Sequence, residues 1–336
     1  KNVLITTYTE TNEAEIKKKF SGCITRNITI QTWFSFLLRH GVRPYQSILN
    51  DELHDKKIGF YLSERASGTY KTKNGKITYY VGENDFFNFY FTKDMKIYSD
   101  KISKFIIKCN EKTKGEIINR VSRIYPYIFI DEIQDLAGWE LEILILLFKS
   151  NSNLILVGDP RQVTYLTQYP KKYKKYKDGK IKDFIEKECN TKKEKICEID
   201  ETSLNKSHRN NYTICCFSSK LYPDFPVSEP CDCCKKKNVE HQGVFLVRPG
   251  DKEEYYEKYK PQILKYKEAK FPEMNFGISK GLSFDRVLIY PTKKIKDYLK
   301  DGDVKKIESV RAKFYVALTR ARYSIGILYD YSDDVS

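Results

Sequence analysis

Two apolar runs that each end in acids constrain this chain more than any other feature. Ile128-Phe129-Ile130 leads straight into Asp131-Glu132-Ile133-Gln134-Asp135, and Leu154-Ile155-Leu156-Val157 leads into Gly158-Asp159-Pro160-Arg161-Gln162. Short unbroken apolar runs are what strands buried on both faces of a parallel sheet look like. In an open parallel sheet ligands bind outside the carboxyl ends of the strands, so two such runs deliver their carboxylates to one edge. Adjacent acids there suit a hydrated divalent metal, a phosphate chain and an attacking water. Turn chemistry alone also places Asp after strands. Asp-Glu-x-Gln-Asp followed within one helix and one strand by Gly-Asp-x-x-Gln is more particular than turns require, and it points to nucleotide hydrolysis.

At 336 residues the chain exceeds one average domain, and two α/β lobes, each with its own core, are the natural expectation. Strand-like runs at 3–7, 127–130, 154–157, 244–247, 286–290 and 325–329 alternate with helical patterns, which predicts parallel sheets with helical crossovers. The formal charge of +15, from 60 Lys and Arg against 45 Asp and Glu, favours a polyanion such as nucleic acid. Compositional drift in an AT-rich genome would also raise Lys, and the abundance of Asn, Ile and Tyr fits that reading too. The longest strongly apolar stretch, 141–148 interrupted by Glu142, falls short of the ~20 residues that a spanning helix needs. No signal-peptide layout opens the chain, so a cytoplasmic location with nine reduced cysteines is expected.

Residues 50–115 are polar and rich in aromatics, and read as a small inserted subdomain. Its cluster Phe86, Phe87, Phe89, Tyr90 and Phe91 is expected to form a small core in preference to a stacking platform. Lys171-Lys172-Tyr173-Lys174-Lys175-Tyr176-Lys177, within 170–182, fits either a strip for single-stranded nucleic acid, with Lys on phosphates and Tyr on bases, or a solvated linker face.

The paired acid motifs resemble motifs II and III of the UvrD/Rep branch of superfamily 1A DNA helicases, and five further stretches extend the resemblance over roughly 3–328. Thr6-Thr7-Tyr8-Thr9 resembles motif Ia, and Thr32-Trp33-Phe34-Ser35 resembles motif Ib. Ser207-His208-Arg209-Asn210 resembles motif IV, and Ser279-Lys280-Gly281-Leu282-Ser283 resembles motif V. Tyr315-Val316-Ala317-Leu318-Thr319-Arg320-Ala321 matches motif VI. The resemblance implies an α/β fold of two RecA-like parallel-sheet lobes, 1–168 and 169–336. The first carries the inserted subdomain and the second a reduced insertion at 223–272, and ATP binds between the lobes.

Residue by residue, the resemblance implies that Asp131 holds Mg²⁺ and Glu132 is the general base. Gln134 and Asp135 would relay state between nucleotide and nucleic acid. Gln162, Arg209 and Arg320 would meet the γ-phosphate, with Arg320 as the arginine finger. His208 stands where a Tyr usually stacks on adenine, and Gly281 lies against the nucleotide. Tyr8, Thr32, Ser35 and Tyr165 would contact nucleic acid. The pattern departs in three places: Leu166-Thr167 replaces a Trp-Arg pair, His208 replaces Tyr, and Ser283 replaces Glu.

No Gly-x-x-x-x-Gly-Lys-Ser/Thr phosphate loop occurs in the chain. The family carries it upstream of motif Ia, so the sequence reads as N-terminally truncated, which would also account for an opening on Lys1. Cys231, Cys233, Cys234 and His241 could bind zinc, although the spacing fits no standard finger. The expectation is an ATP-dependent helicase or translocase moving 3′ to 5′ on single-stranded or partly duplex DNA. Its rivals are a non-hydrolysing DNA-binding or regulatory protein and a helicase-like subunit serving a nuclease or repair partner.

Overall fold

The computed structural model describes all residues except 24–25, 64, 72–77, 165–171, 191–194, 233–238 and 332–336. The chain forms two compact units, one of Lys1–Pro160 with Tyr165–Glu198, the other of Arg161–Thr164 with Ile199–Ser336. Among the described residues no helix is long and apolar enough to cross a membrane.

The first unit is built on a four-stranded parallel sheet. Its strands are β1 (Val3–Thr7), β2 (Ile28–Thr32), β3 (Tyr127–Ile130) and β4 (Asn153–Leu156), in the order β2-β1-β3-β4. Leu4 pairs with Ile128, which pairs with Leu154, so the apolar runs lie side by side. Being parallel, all four strands end at one edge, where Thr7 sits beside Thr32. Helix α1 (Glu10–Lys19) starts there, with Thr9 accepting from the Asn12 amide, acids in its first turn and lysines in its last, as helix capping and the macrodipole favour.

Helix α2 (Ser99–Lys112) buries Ile102, Phe105, Ile106 and Cys109, the i, i+3, i+4, i+7 stripe of a core-facing helix. Tyr90 and Phe91 join the same core as Leu4 and Ile128. The aromatic cluster therefore does pack inward, but into the core of the whole unit. Helices α3 (Glu116–Ile124) and α4 (Trp139–Phe148) complete this layer.

The Lys- and Tyr-laden segment is neither a stacking strip nor a solvated linker over its described part. Tyr176 is buried with Phe184 in the first core. The Tyr173 hydroxyl donates to Glu142 of α4 at 2.8 Å, and that of Tyr176 to Glu188 at 2.6 Å. The Lys172 and Lys175 ammoniums pair with the same two carboxylates. The first unit consequently extends to Glu198, past the 168/169 boundary suggested by the sequence.

The second unit holds a five-stranded parallel sheet of β5 (Gly243–Val247), β6 (Gln262–Lys265), β7 (Met274–Asn275), β8 (Phe284–Tyr290) and β9 (Ala321–Leu328). The order is β5-β9-β8-β6-β7. Helices α5 (Tyr212–Ser219), α6 (Lys293–Asp301) and α7 (Arg311–Leu318) flank it. Ile214, Ile295 and Phe314 from these helices meet Val287, Ile289 and Ile325 in its core. The span 223–272 is thus not an insertion: it supplies β5 and β6, which pair with β9 and β8 through apolar residues such as Val244 and Ile263.

Candidate active site

The acids stand where β3 stops. The Asp131 amide still donates to Thr6 O at 2.8 Å, and the Ile133 amide donates to Val157 O at 3.1 Å. Between them Glu132 adopts a left-handed backbone, φ +57°, a conformation that costs a side-chain-bearing residue about 1 kcal/mol or more. That turn swings the Glu132 side chain out of strand alternation.

Two amides receive its carboxylate. Asn12 Nδ2 of α1 donates to Oε1 at 3.3 Å, and Gln134 Nε2 donates to Oε2 at 2.5 Å. Gln134 Oε1 in turn accepts the Asp159 amide at 3.2 Å, tying the turn after β3 to the turn after β4. Gly158 permits this approach, because a Cβ there would lie 2.7 Å from Ile133 Cγ2 and collide with Gln134 Oε1. Beside Glu132, the Thr7 hydroxyl donates to Asp131 Oδ2 at 3.5 Å. Hard oxygen donors on one or two side chains, with water and phosphates completing the shell, are what Mg²⁺ takes, so Asp131 with Thr7 nearby fits it. No group of three potential metal-ligating side chains occurs among the described residues.

The cationic residues lie in the second unit and are held by backbone. Arg209 follows a short strand (Lys206–Ser207) and donates from Nη1 to Thr319 O at 3.0 Å. Buried Asn210 donates to Thr319 O at 3.2 Å and to Ala321 O at 2.7 Å. Arg320, 2 % exposed, donates from Nε to Val316 O at 3.0 Å, a carbonyl in the last turn of α7 that the Thr319 hydroxyl also reaches. Its Nη1 reaches Leu282 O at 3.4 Å, and its Nη2 reaches Thr319 Oγ1 and Gln162 Oε1, each at 3.1 Å.

Gln162 therefore keeps company with Arg320. Its short stretch, Arg161–Thr164, belongs to the second unit, whereas the sequence suggested the first. Lys280 Nζ donates to Gln162 O at 3.1 Å, the Tyr222 hydroxyl donates to Arg161 O at 3.0 Å, and the Arg161 guanidinium lies 4.9 Å from the Tyr315 ring centre. Gly281 has φ +85°, and His208 is exposed.

Of the residues expected at nucleic acid, Tyr8 is half-buried and stands edge-on to Phe34 at 5.3 Å. Thr32 is buried; its hydroxyl accepts the Ser35 amide at 3.2 Å and donates to Ser35 Oγ at 2.8 Å. Ser35 is exposed. Tyr165 lies outside the described residues.

Cys233 and Cys234 of the zinc set lie outside them too, and Cys231 is disulfide-bonded, unlike the reduced thiol expected. His241 is stacked between Phe245 and Tyr259 at 4.1 and 3.8 Å. Burial, then the charges of Arg286 and Lys258, lower its pKa.

Sequence reading passed over Asn12 and Lys280 as functional residues. Asn12 carries a faint signal, an amide in the first turn of a helix that begins at the sheet's carboxyl edge. Lys280 carried none beyond its place in the motif.

Residues 83–168 match the family model described as the UvrD/REP helicase N-terminal domain. Among solved structures, the helicase of PRRSV is 20 % identical over 60 % of this chain and 34 % of that one, with a TM-score of 0.35. The arterivirus nonstructural protein 10 helicase is 11 % identical over 99 % and 60 %, with a TM-score of 0.39. Its complex with DNA gives 10 % identity over 98 % and 54 %, with a TM-score of 0.42. The chain thus spans less than two thirds of each of these helicases. No curated protein matches it.

Proposed function

We propose that this chain, a UvrD-like superfamily 1 helicase by its match over 83–168, hydrolyses ATP to move 3′ to 5′ along single-stranded DNA. The observation that carries the reading is the turn at Asp131 and Glu132, where two consecutive acids stand at the carboxyl edge of a parallel sheet and one is held by two amides. A general base needs that placement, since its rate contribution depends on reach to the water it deprotonates.

In this reading Asp131 binds Mg²⁺, which would neutralise phosphate charge. Glu132 accepts the proton of the water that attacks the γ-phosphorus. Gln162, Arg209 and Arg320 are assigned to the γ-phosphate, where planar guanidinium groups suit spreading negative charge. The excess of 60 basic over 45 acidic residues supports a nucleic-acid track, and exposed Ser35, presented by Thr32, is the polar group assigned to a DNA phosphate.

The test is ATP turnover by the full-length natural protein with and without single-stranded DNA, alongside Glu132→Gln. DNA-stimulated turnover that falls ~100-fold or more in the variant, with DNA affinity retained, is the expected result. Tight DNA binding without any turnover would mark a non-hydrolysing binding protein instead.

A further inference from the structure

We propose that Asn12 and Gln134 are positioning residues that clamp the Glu132 carboxylate from two sides, with Gly158 as the spacer that lets the clamp close. The proposal rests on Glu132 being the base.

A glutamate side chain has three rotatable bonds, and fixing them costs roughly 1.5–2 kcal/mol of rotamer entropy. A catalytic group needs placement to within about 0.5 Å. The backbone supplies the coarse aim through the left-handed turn at Glu132. The fine aim comes from one amide on each carboxylate oxygen, Asn12 on Oε1 and Gln134 on Oε2.

The orientation of both amides is dictated. A carboxylate only accepts, so each must present its NH₂ group. For Gln134 the opposite end is pinned independently, since Oε1 accepts the Asp159 amide at 3.2 Å. For Asn12 the orientation carries a penalty: Oδ1 is buried with no hydrogen-bond partner, a loss of about 1–3 kcal/mol. Asn12 is itself 5 % exposed and fixed by the Thr9 cap at 3.1 Å. Gln134 is 4 % exposed. The clamp thus consists of two buried arms around a half-buried side chain.

Gly158 sets the gap. A methyl group there would strike Gln134 Oε1 and Ile133 Cγ2, pushing the Gln134 amide off Glu132. Gly158→Ala should therefore behave as a Gln134 variant, although position 158 touches no carboxylate.

The experiment uses the full-length natural protein. Asn12→Ala, Gln134→Leu and Gly158→Ala should each lower kcat for ATP ~10- to 100-fold while nucleotide KM moves less than about threefold. Asn12→Asp keeps shape and loses the donor, so it should fall at least as far as Asn12→Ala. In a Glu132→Gln background, Asn12→Ala should cause no further loss. A purely structural role would lower activity in both backgrounds and raise KM.

A second readout needs no turnover: the side-chain amide NMR signals of Asn12 and Gln134 should both shift in Glu132→Ala. Unmoved signals would overturn the clamp. Turnover that collapses in Glu132→Gln but stays within about twofold in Asn12→Ala and Gln134→Leu would also overturn it, while leaving Glu132 as the base. If the parent shows no turnover, the reading of Glu132 as base fails, and the amide signals alone decide whether the clamp exists.

Discussion

The two units hold their charged groups by different means. Around the acids of the first unit, side chains hold side chains: Asn12 and Gln134 hold Glu132, and Thr7 holds Asp131. The same style recurs deeper in that unit, where Tyr125 meets His40 and where Tyr90, Lys104 and Lys108 meet Glu83. Around the guanidinium groups of the second unit the acceptors are mostly main-chain carbonyls, Val316, Leu282 and Thr319. Carbonyls cannot be mutated away or protonated. The first unit is therefore adjustable by single substitutions and by pH, whereas the second is fixed to its backbone and sensitive chiefly to loss of the donor.

The largest effect should come from Arg320→Ala. Removing it takes the guanidinium donor from Val316 O, Leu282 O and the Gln162 amide oxygen and empties the space of a side chain only 2 % exposed. We expect a loss of about 3 kcal/mol or more in urea unfolding. A loss under about 1 kcal/mol would erase the distinction between the units.

Acid sensitivity comes next. Burial, then the charges of Arg120 and Arg39, hold the His40 pKa down to about 4, while the unfolded chain titrates near ~6.5. Over that window the unfolded state binds the extra proton. The stability contributed by neutral His40 is complete above about pH 6.5 and is lost as the pH falls toward about 4. The urea midpoint should fall across this range in the parent, and His40→Gln should flatten the fall.

The smallest effect should be Glu132→Gly. It takes the acceptor from the buried Asn12 and Gln134 amides, a loss of about 2–3 kcal/mol, but relieves a left-handed backbone, φ +57°, worth about 1 kcal/mol. Unfolding should lose about 1–2 kcal/mol.

The sequence made most strands plain through their apolar runs, the edge strands β4 and β5 as well as central ones. β1, β3, β8 and β9 have neighbours on both sides in their sheets, and apolar runs such as Ile128 to Ile130 are what such positions demand. β2, Ile28-Thr29-Ile30-Gln31-Thr32, is an edge strand with polar residues interleaved, and β6 is four residues of mixed character, so neither announced itself.

The acids and guanidinium groups were legible because their chemistry fixes residue type and local spacing. Their holders were not. Asn12 meets Glu132 across 120 positions of chain, and Gln162 leaves its sequence neighbours to join Arg320. Local patterns do not record such pairings. The Lys-Tyr stretch misled for a related reason, since amphipathic rings and stems can pack while their polar ends find carboxylates.

That stretch also governs how the protein can be dissected. Tyr173, Tyr176, Phe184 and Ile185 form a strap that carries apolar cover for the first core and anchors on Glu142 of α4. A fragment ended at 168 would shed the strap and present a bare greasy face to solvent, inviting aggregation. One ended at 198 would keep its own lagging, which makes the residue after Glu198 the natural place to cut.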